Sequence, residues 1–381
     1  MGLKVCFVSS YPPNRARLSE YAQNLVPALA GCSEVEKLFL LVDKPLFPDG
    51  IVTQNGKVEV FRVWRSDSLF SVLNVLRCII RLKPDVVHFN VSFQSFGKSK
   101  ITNYAGLSLI LFCRLFGFKV LAALHTLADV ADLEKYDVKP SLINKAGILV
   151  ATKTVLSAHK IAVLVKGYCA FLRKRYGHCG VSYVPHGATV DTQSDLASGY
   201  KTILLFGHMG PHKGLPLLLE AYKKVRAKIP VAQLVVAGAD HPQHPGYLTR
   251  YRAAGLDGVE FIGYVPQKQL AEVFRRARVV VLPYNAAPGT SGVFHLACGF
   301  GRPVVASNLP EIREIVADGA SAVLVPPGDV DALAEAITRL LVDEAAAEKM
   351  SKQNLVFAEK ESWSKVAEAY TQLYRQLLNS K

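Results

Sequence analysis

The sequence of 381 residues predicts an α/β protein with two doubly wound, Rossmann-like domains that face each other across a cleft. Three observations predict this fold. The chain is longer than one ordinary hydrophobic core supports. Short β-branched apolar runs alternate along it with longer amphipathic segments. The apolar runs are continuous, as in parallel strands that are covered on both faces, and the whole pattern occurs twice.

Seven strands are predicted in the first half of the chain. In order they are KVCFVSS, KLFLLV, VEVFRV, DVVHFN, KVLAALH, KIAVLV and VSYVPHG. Between the first two lies EYAQNLVPAL, which has a helical period. The most membrane-like stretch, residues 106–124, is interrupted by Arg114, Gly117 and Lys119. It therefore predicts a helix followed by a strand and not a membrane span.

The second half repeats the pattern. Its predicted strands are KTILLFG, AQLVVAG, VEFIG, VVVLPY, PVVAS and AVLVPP, and its predicted helices include GLPLLLEAYKKVRAK, QLAEVFRRA and DVDALAEAITRLL. Residues 186–200 are polar and show neither helical nor strand periodicity. They therefore predict the boundary between a domain at 1–190 and a domain at 191–362. Residues 363–381 predict an amphipathic helix that crosses back to pack on the N-terminal domain.

Composition limits the compartment and the partners. Seven scattered cysteines without a CxxC pair indicate free thiols in a reducing compartment, and no signal peptide is visible. We therefore expect a cytoplasmic protein. The net charge is +14, of which residues 1–195 carry +10. This basic half could contact an anionic membrane surface peripherally, at the inner face, or an anionic acceptor, or it could simply be solvated. No nucleic-acid motif is present, so no nucleic acid is expected as a partner.

Several common site types are absent from the sequence. Neither the G-x-G-x-x-G fingerprint nor a P-loop follows a predicted strand, which argues against hydride transfer and ATP hydrolysis. The stretch DHPQHPG, residues 240–246, contains two histidines, but its prolines and its spacing are typical of a turn. We therefore expect no metal site there.

Two loop-to-helix junctions in the second half could bind anions. The strand KTILLFG runs into FGHMGPHKG, where Lys213 stands at the start of the next helix. An ammonium group beside helix-terminal N–H groups suits a diphosphate. Thr290, Ser291 and Gly292 lie at a second helix start, where a simple capping role is the alternative. Two such junctions, each after a parallel strand, predict a site that holds two phosphates.

At these residues a family resemblance becomes clear. FGHMGPHKG, VVAGAD, VEFIGYVP, VVVLPY, CGFGRPVVASNLPEIREIVADG and AVLVPPGDVDALAEAI resemble the donor-binding domain of the retaining glycosyltransferases of family 4, also called glycosyl transferases group 1. The first half agrees more loosely through SSYPPNRARLSEYAQNL, DVVHFN, ALHTLADV and VSYVPHG. The resemblance implies the GT-B fold, with an acceptor-binding N-terminal domain and a nucleotide-sugar-binding C-terminal domain.

The resemblance also implies an activity and roles for single residues. The protein is expected to transfer a sugar from a nucleoside diphosphate sugar to a glycan, lipid-linked or other acceptor, with retention and without a required metal or other cofactor. His125 and Lys213 match the catalytic positions, the histidine near the transferred sugar and the lysine on the diphosphate. The remaining donor-binding positions are His208, Gly263, Tyr264, Val265, Thr290, Ser291, Gly292 and Val293.

The sequence departs from the family pattern at three positions. Pro288 and Leu296 stand where the family usually has two glutamates, and His208 stands where it usually has arginine. Loss of the arginine removes bidentate phosphate contacts. The chain is therefore interpreted as a divergent branch lacking the paired glutamates. A catalytically impaired nucleotide-sugar-binding subunit, an epimerase and a phosphorylase are the alternatives.

The first loop of the N-terminal domain predicts the character of the acceptor. It lacks the paired glycines common in the family and offers Asn14, Arg15 and Arg17 instead. Because two of the three side chains are cationic, we expect them to meet an anionic acceptor such as a lipid-linked phosphosugar.

Overall fold

In the computed structural model the chain folds into two compact units. The structure describes residues 2–14, 17–44, 56–130, 141–193, 196, 201–287 and 289–379, and of Arg17 only the backbone. The first unit comprises the described residues within Met1–Ala131, Lys139–His186 and Trp363–Lys381, and the second unit those within Gly187–Ser362.

The first unit alternates strands and helices from its beginning. Its strands are β1 (Leu3–Val8), β2 (Val35–Asp43), β3 (Val58–Trp64), β4 (Val86–Val91), β5 (Lys119–Leu124), β6 (Lys160–Val163) and β7 (Val181–Tyr183). Its first five helices are α1 (Arg17–Gly31), α2 (Phe70–Leu82), α3 (Lys100–Leu115), α4 (Leu142–Val155) and α5 (Lys166–Tyr176), and the helix at Trp363–Asn379, α13, completes it.

The strands of the first unit form one parallel sheet. Within the described residues it has seven strands in the order β3-β2-β1-β4-β5-β6-β7. One face is covered by α2, α3, α4 and α5 and the other by α1 and α13, and each face has its own buried apolar cluster. This explains the continuous apolar strands, because both sides of each strand are buried.

The second unit repeats the scheme. Its strands are β8 (Thr202–Phe206), β9 (Gln233–Ala237), β10 (Val259–Gly263), β11 (Val279–Leu282), β12 (Val304–Ser307) and β13 (Val323–Val325). Its helices are α6 (Leu215–Lys228), α7 (Thr249–Ala253), α8 (Leu270–Arg276), α9 (Gly292–Gly299), α10 (Pro310–Ala317), α11 (Val330–Val342) and α12 (Glu344–Lys360), with short 3₁₀ turns at Pro211–Lys213 and Gln267–Gln269.

The second sheet is also parallel throughout. Its described strands follow the order β10-β9-β8-β11-β12-β13, so the winding reverses between β8 and β11. Helices α6 and α11 cover one face, and α8, α9 and α10 cover the other. The reversal matters for function, because loops that leave neighbouring strands in opposite directions open a crevice at the carboxyl ends of those strands.

Each predicted strand is present, and residues 106–124 form the end of α3 and all of β5, as predicted. None of the helices in the described part of the chain combines the length and the apolar character that a membrane crossing requires.

Candidate functional site

The loops at the reversal of the second sheet are the first candidate site. The loop after β8 contains residues 207–214, and the loop after β11 contains residues 283–291, of which Pro288 lies outside the described residues. Both leave the carboxyl ends of adjacent parallel strands. The topology therefore brings the two glycine-rich stretches singled out in the sequence to the two sides of one crevice.

The loop after β8 is shaped by two glycines with positive φ. Gly207 has φ +118° and Gly214 has φ +66°. Gly214 ends the 3₁₀ turn Pro211–Lys213 and caps α6. A Cβ atom on Gly214 would lie 1.8 Å from the carbonyl oxygen of Pro283, so only glycine fits. Close packing against the β11 loop thus fixes the position of Lys213.

Lys213 is held by an aromatic ring from the neighbouring loop. Its Nζ lies 3.8 Å from the ring centroid of Tyr284, which is buried. Asn285 ties the same two loops together, since its N–H donates to the carbonyl of His212 at 3.0 Å and its side chain donates to that of Pro211 at 3.2 Å. The cation–π contact orders the long side chain of Lys213.

Helix α9 presents its first turn to the same crevice. Ser291 is its N-cap, and its hydroxyl accepts from the N–H of Phe294 at 3.3 Å. The N–H groups of Gly292 and Val293 make no hydrogen bond within the described part of the chain. Uncapped N–H groups at a helix start, together with the helix dipole, favour a bound anion.

The two junctions meet at Gly207. A Cβ atom built on Gly207 would lie 3.4 Å from Val293 Cγ2 and 3.9 Å from Lys213 Nζ. Gly207 therefore lies beside both the lysine ammonium and the start of α9. Lys213, Gly292 and Val293 can act on the same anionic group.

A buried histidine of α9 supports this turn. His295 Nδ1 donates to the carbonyl oxygen of Ser291 at 2.9 Å, and its Nε2 lies 3.1 Å from Glu361 Oε2. Both side chains are buried. Because a carbonyl oxygen can only accept, Nδ1 carries a proton, and Nε2 faces a carboxylate oxygen of Glu361. The pair anchors the N-cap of α9 to the end of α12.

The other predicted donor-binding residues lie at the same sheet edge. Gly263 ends β10 with φ +72°, and its carbonyl accepts from Gly238 N–H at 2.6 Å. Val265 is buried, whereas Tyr264 and His208 are half-buried. Thr290, directly before the N-cap, is buried.

Leu296 is at the position of the second family glutamate. It packs against the core of the second unit. In this chain the start of α9 therefore offers backbone N–H groups where the family also has a carboxylate.

The histidines of DHPQHPG pack ring against ring. The ring centroids of His241 and His244 are 5.7 Å apart, and that of His212 lies 5.5 Å from His241. In the residues that the structure describes, no group of three or more His, Cys, Asp or Glu side chains is arranged to hold a metal ion.

A second polar site lies at the carboxyl ends of three strands of the first unit. His125 follows β5, and its Nε2 donates to Asn90 Oδ1 at 2.5 Å. Asn90 Nδ2 in turn donates to Ser9 Oγ at 2.9 Å. Because an amide oxygen can only accept, the Nε2 of His125 carries a proton in this chain of hydrogen bonds. The sequence analysis predicted a role for His125 but did not single out Ser9 and Asn90, although each is a polar residue at the end of an apolar strand.

His125 also contacts an aromatic cluster. Its ring packs edge-on against Tyr21 at 4.4 Å, and Tyr21 contacts Trp363 of α13 at 5.0 Å. The Tyr21 hydroxyl lies 3.1 Å from that of Tyr370. Burial raises the pKa of Tyr21 well above its usual value, so this hydroxyl stays protonated.

The loop after β1 is held by the ends of the next two strands. Asp43 Oδ1 accepts from the N–H of Tyr11 at 3.1 Å, and Arg62 donates to the carbonyl of Pro12 at 3.2 Å. Burial raises the pKa of Asp43, and a hydrogen bond from the Asn14 side chain opposes the shift. Asn14 therefore shapes this loop. Arg15 and the side chain of Arg17 lie outside the described residues.

Comparison with known proteins agrees with this arrangement. Residues 200–343 match the family model of the glycosyl transferases group 1. A phosphatidyl-myo-inositol mannosyltransferase of Mycobacterium leprae is 31% identical over 205 residues, which are 52% of this chain and 54% of that protein. A lipopolysaccharide 1,2-N-acetylglucosaminetransferase of Salmonella typhimurium is 27% identical over 55% of this chain and 60% of that protein. The chain thus spans about half the length of these relatives.

Two solved structures match nearly the whole chain. The sucrose-phosphate synthase of Thermosynechococcus elongatus has a TM-score of 0.76 and 23% identity over 99% of both chains. Anabaena HepE in complex with UDP-glucose has a TM-score of 0.74 and 15% identity over 98% of this chain and 100% of that one. At these identities the matches establish the fold, and the predicted pair of doubly wound α/β domains of the GT-B type is confirmed.

Proposed function

We propose that the protein is a glycosyltransferase that uses a nucleoside diphosphate sugar, since residues 200–343 match the family model of the glycosyl transferases group 1. The observation that carries the proposal is the meeting of Lys213 Nζ and the start of α9 at Gly207. A departing diphosphate gains negative charge as its bond to the sugar breaks. A fixed ammonium and two unpaired helix N–H groups stabilise such charge at the moment it develops.

The donor phosphates are assigned to the second unit. Lys213, with its ammonium over the Tyr284 ring, takes one side of the diphosphate, and the N–H groups of Gly292 and Val293 take the other. The residues Gly263–Val265 are assigned to the base, and Thr290 and His208 to the edge of the phosphate site. We propose that transfer proceeds with retention and needs no divalent metal, since these groups supply the positive charge.

The acceptor is assigned to the first unit. His125, oriented by Asn90 and Ser9, lies at the carboxyl edge of that sheet. The acceptor is proposed to be a glycan or lipid-linked molecule that meets the loop at Asn14, Arg15 and Arg17. Similarity to a phosphatidyl-myo-inositol mannosyltransferase and to a lipopolysaccharide 1,2-N-acetylglucosaminetransferase supports a lipid-linked acceptor. We place the protein in the cytoplasm, at the inner membrane face.

Replacement of Lys213 tests the proposal. We expect Lys213→Ala to lower sugar transfer at least about 100-fold, the scale of removing one preorganised charge stabiliser. The matched control is Lys223→Ala, an exposed lysine of α6 that pairs with Glu220 at 2.8 Å. The donor for the assay comes from a thermal-shift screen of UDP-, GDP- and ADP-sugars, because a bound ligand raises the unfolding temperature.

Two results would contradict the proposal. One is near-normal transfer by Lys213→Ala, which would remove the lysine from the reaction. The other is a wild-type protein that no sugar nucleotide stabilises. A wild-type rate that a chelating agent abolishes would overturn only the metal-independent part.

A further inference from the structure

Large apolar side chains are exposed at the starts of three neighbouring helices of the first unit. Phe70 at the start of α2 is 81% exposed, and Ile101 at the start of α3 is 68% exposed. Leu142 and Ile143, at the start of α4, are 85% and 83% exposed. Leu69, directly before α2, is 50% exposed. Large apolar side chains exposed in one place mark an interaction surface.

Hydrogen bonds join these three helix starts to one another. Asp67 Oδ1, before α2, accepts from the N–H of Ser99 at 2.8 Å and from Thr102 Oγ1 at 3.2 Å, both at the start of α3. Lys100 Nζ donates to Asn144 Oδ1, at the start of α4, at 2.8 Å. The five apolar side chains are therefore parts of one surface, which we call the helix-start patch.

The helix-start patch is predominantly positively charged. The three segments 65–73, 97–104 and 141–148 contain four basic residues, Arg65, Lys98, Lys100 and Lys145, all exposed, and one acidic residue, Asp67. Backbone N–H groups of Ser99 and Lys98 lower the pKa of that single carboxyl and bind it locally. Three helix N-termini add further partial positive charge. The patch therefore combines apolar side chains with a positive field.

We propose that the helix-start patch docks the protein on an anionic lipid bilayer. Phe70, Leu142 and Ile143 would enter the boundary between headgroups and acyl chains, and the lysines would pair with anionic headgroups. Charge complementarity selects this occupant, since a protein partner would need an acidic face instead. The N-termini of α2, α3 and α4 lie at the carboxyl edge of the first sheet, where the loop after β1 also lies. Docking would bring that loop towards the lipid.

The test is co-sedimentation of the full chain with vesicles of equal parts phosphatidylglycerol and phosphatidylcholine, compared with phosphatidylcholine alone. We expect binding to the anionic vesicles that falls at least about tenfold in the triple variant Phe70→Ser, Leu142→Ser, Ile143→Ser. A second variant, Lys98→Gln with Lys100→Gln and Lys145→Gln, should lose about the same factor and also the preference for anionic lipid.

The matched control lies at the other end of α3. Leu115 and Phe116 are 71% and 59% exposed there, so Leu115→Ser with Phe116→Ser removes similar apolar area at the opposite edge of the sheet. This control should bind vesicles as the wild type does. The proposal would be overturned if the triple variant bound vesicles as well as the wild type does. It would also be overturned if the control variant lost as much binding as the triple variant. So would a wild-type dimer that only the triple variant dissociates, because the patch would then cover a second copy.

The inference rests on this surface and not on the proposed transfer reaction. Vesicle binding is measured without a sugar nucleotide, so the two proposals fail separately. All replaced side chains are exposed, and equal unfolding temperatures of the variants and the wild type show that the fold is kept.

Discussion

At the scale of single residues, the buried pair of His295 and Glu361 determines how the phosphate-binding turn is held. His295 is 2% exposed and Glu361 is 5% exposed, and the histidine bonds the carbonyl of the N-cap Ser291. Removing one member of a buried pair leaves the other without a partner in a medium that solvates it poorly. The start of α9 should therefore depend on Glu361, although Glu361 is 66 positions from His295 in sequence.

We expect Glu361→Ala to lower the free energy of unfolding of the second unit by about 3 kcal/mol. The control is Glu359→Ala on the same helix, whose side chain is exposed. Urea unfolding followed by far-UV circular dichroism measures both. A Glu361→Ala protein that is as stable as the control would show that the pair carries no stability.

Sequence reasoning located Lys213 and the α9 start because strand ends and glycines are local signals. It gave no binding role to His295, because the partner of this side chain, Glu361, ends a helix far along the chain. Ser9 and Asn90 were missed for the same reason, since their hydrogen bond joins residues 81 positions apart. Such pairings depend on strand order, which composition and periodicity do not encode.

At the scale of single elements, glycine conformation places the loop after β8. Gly214 and Gly255 both have positive φ, +66° and +56°. A Cβ on Gly214 would overlap the carbonyl of Pro283, whereas a Cβ on Gly255 would meet nothing within 4 Å. Alanine variants at the two positions therefore distinguish the free-energy cost of a left-handed backbone from the additional cost of a steric clash.

We expect Gly255→Ala to destabilise the protein by about 1 kcal/mol, the cost of left-handed backbone alone. Gly214→Ala should cost clearly more, because the backbone must move, and it should weaken sugar-nucleotide binding at least about tenfold by displacing Lys213. Urea unfolding and calorimetric titration measure the two effects. Equal stability and unchanged binding in the Gly214 variant would contradict the assigned role of this packing.

At the scale of the whole molecule, the stability of the first unit should depend on pH through His88. This side chain is fully buried in β4, and its Nδ1 lies 2.6 Å from the hydroxyl of Tyr374 in α13. Burial lowers the pKa of His88 from 6.5 to about 3. Between these values the unfolded chain binds a proton that the folded chain does not. The free energy of unfolding therefore falls as pH decreases below 6.5.

The expected slope is about 1.4 kcal/mol per pH unit, so lowering the pH from 7.5 to 5 should cost about 2 kcal/mol through this residue alone. The His88→Gln variant should be less stable than the wild type at pH 7.5. Its free energy of unfolding should not show the fall of about 2 kcal/mol between pH 7.5 and 5 that comes from His88. Tryptophan fluorescence during urea unfolding is the measurement, because both tryptophans, Trp64 and Trp363, belong to the first unit. Parallel pH profiles of variant and wild type would contradict the role of His88.

Helix α13 has a consequence for the order in which the protein can fold during synthesis. It supplies Val366, Tyr370 and Tyr374 to the core around α1, so the first unit lacks part of its interior until residues 363–379 have emerged from the ribosome. The stretch from Gly187 to Ser362 emerges earlier. Since domains fold as units while the chain grows, the unit that is begun first is the one completed last. Until α13 has been synthesised, the apolar side of α1 lacks its packing partner, and we expect a chaperone to bind it.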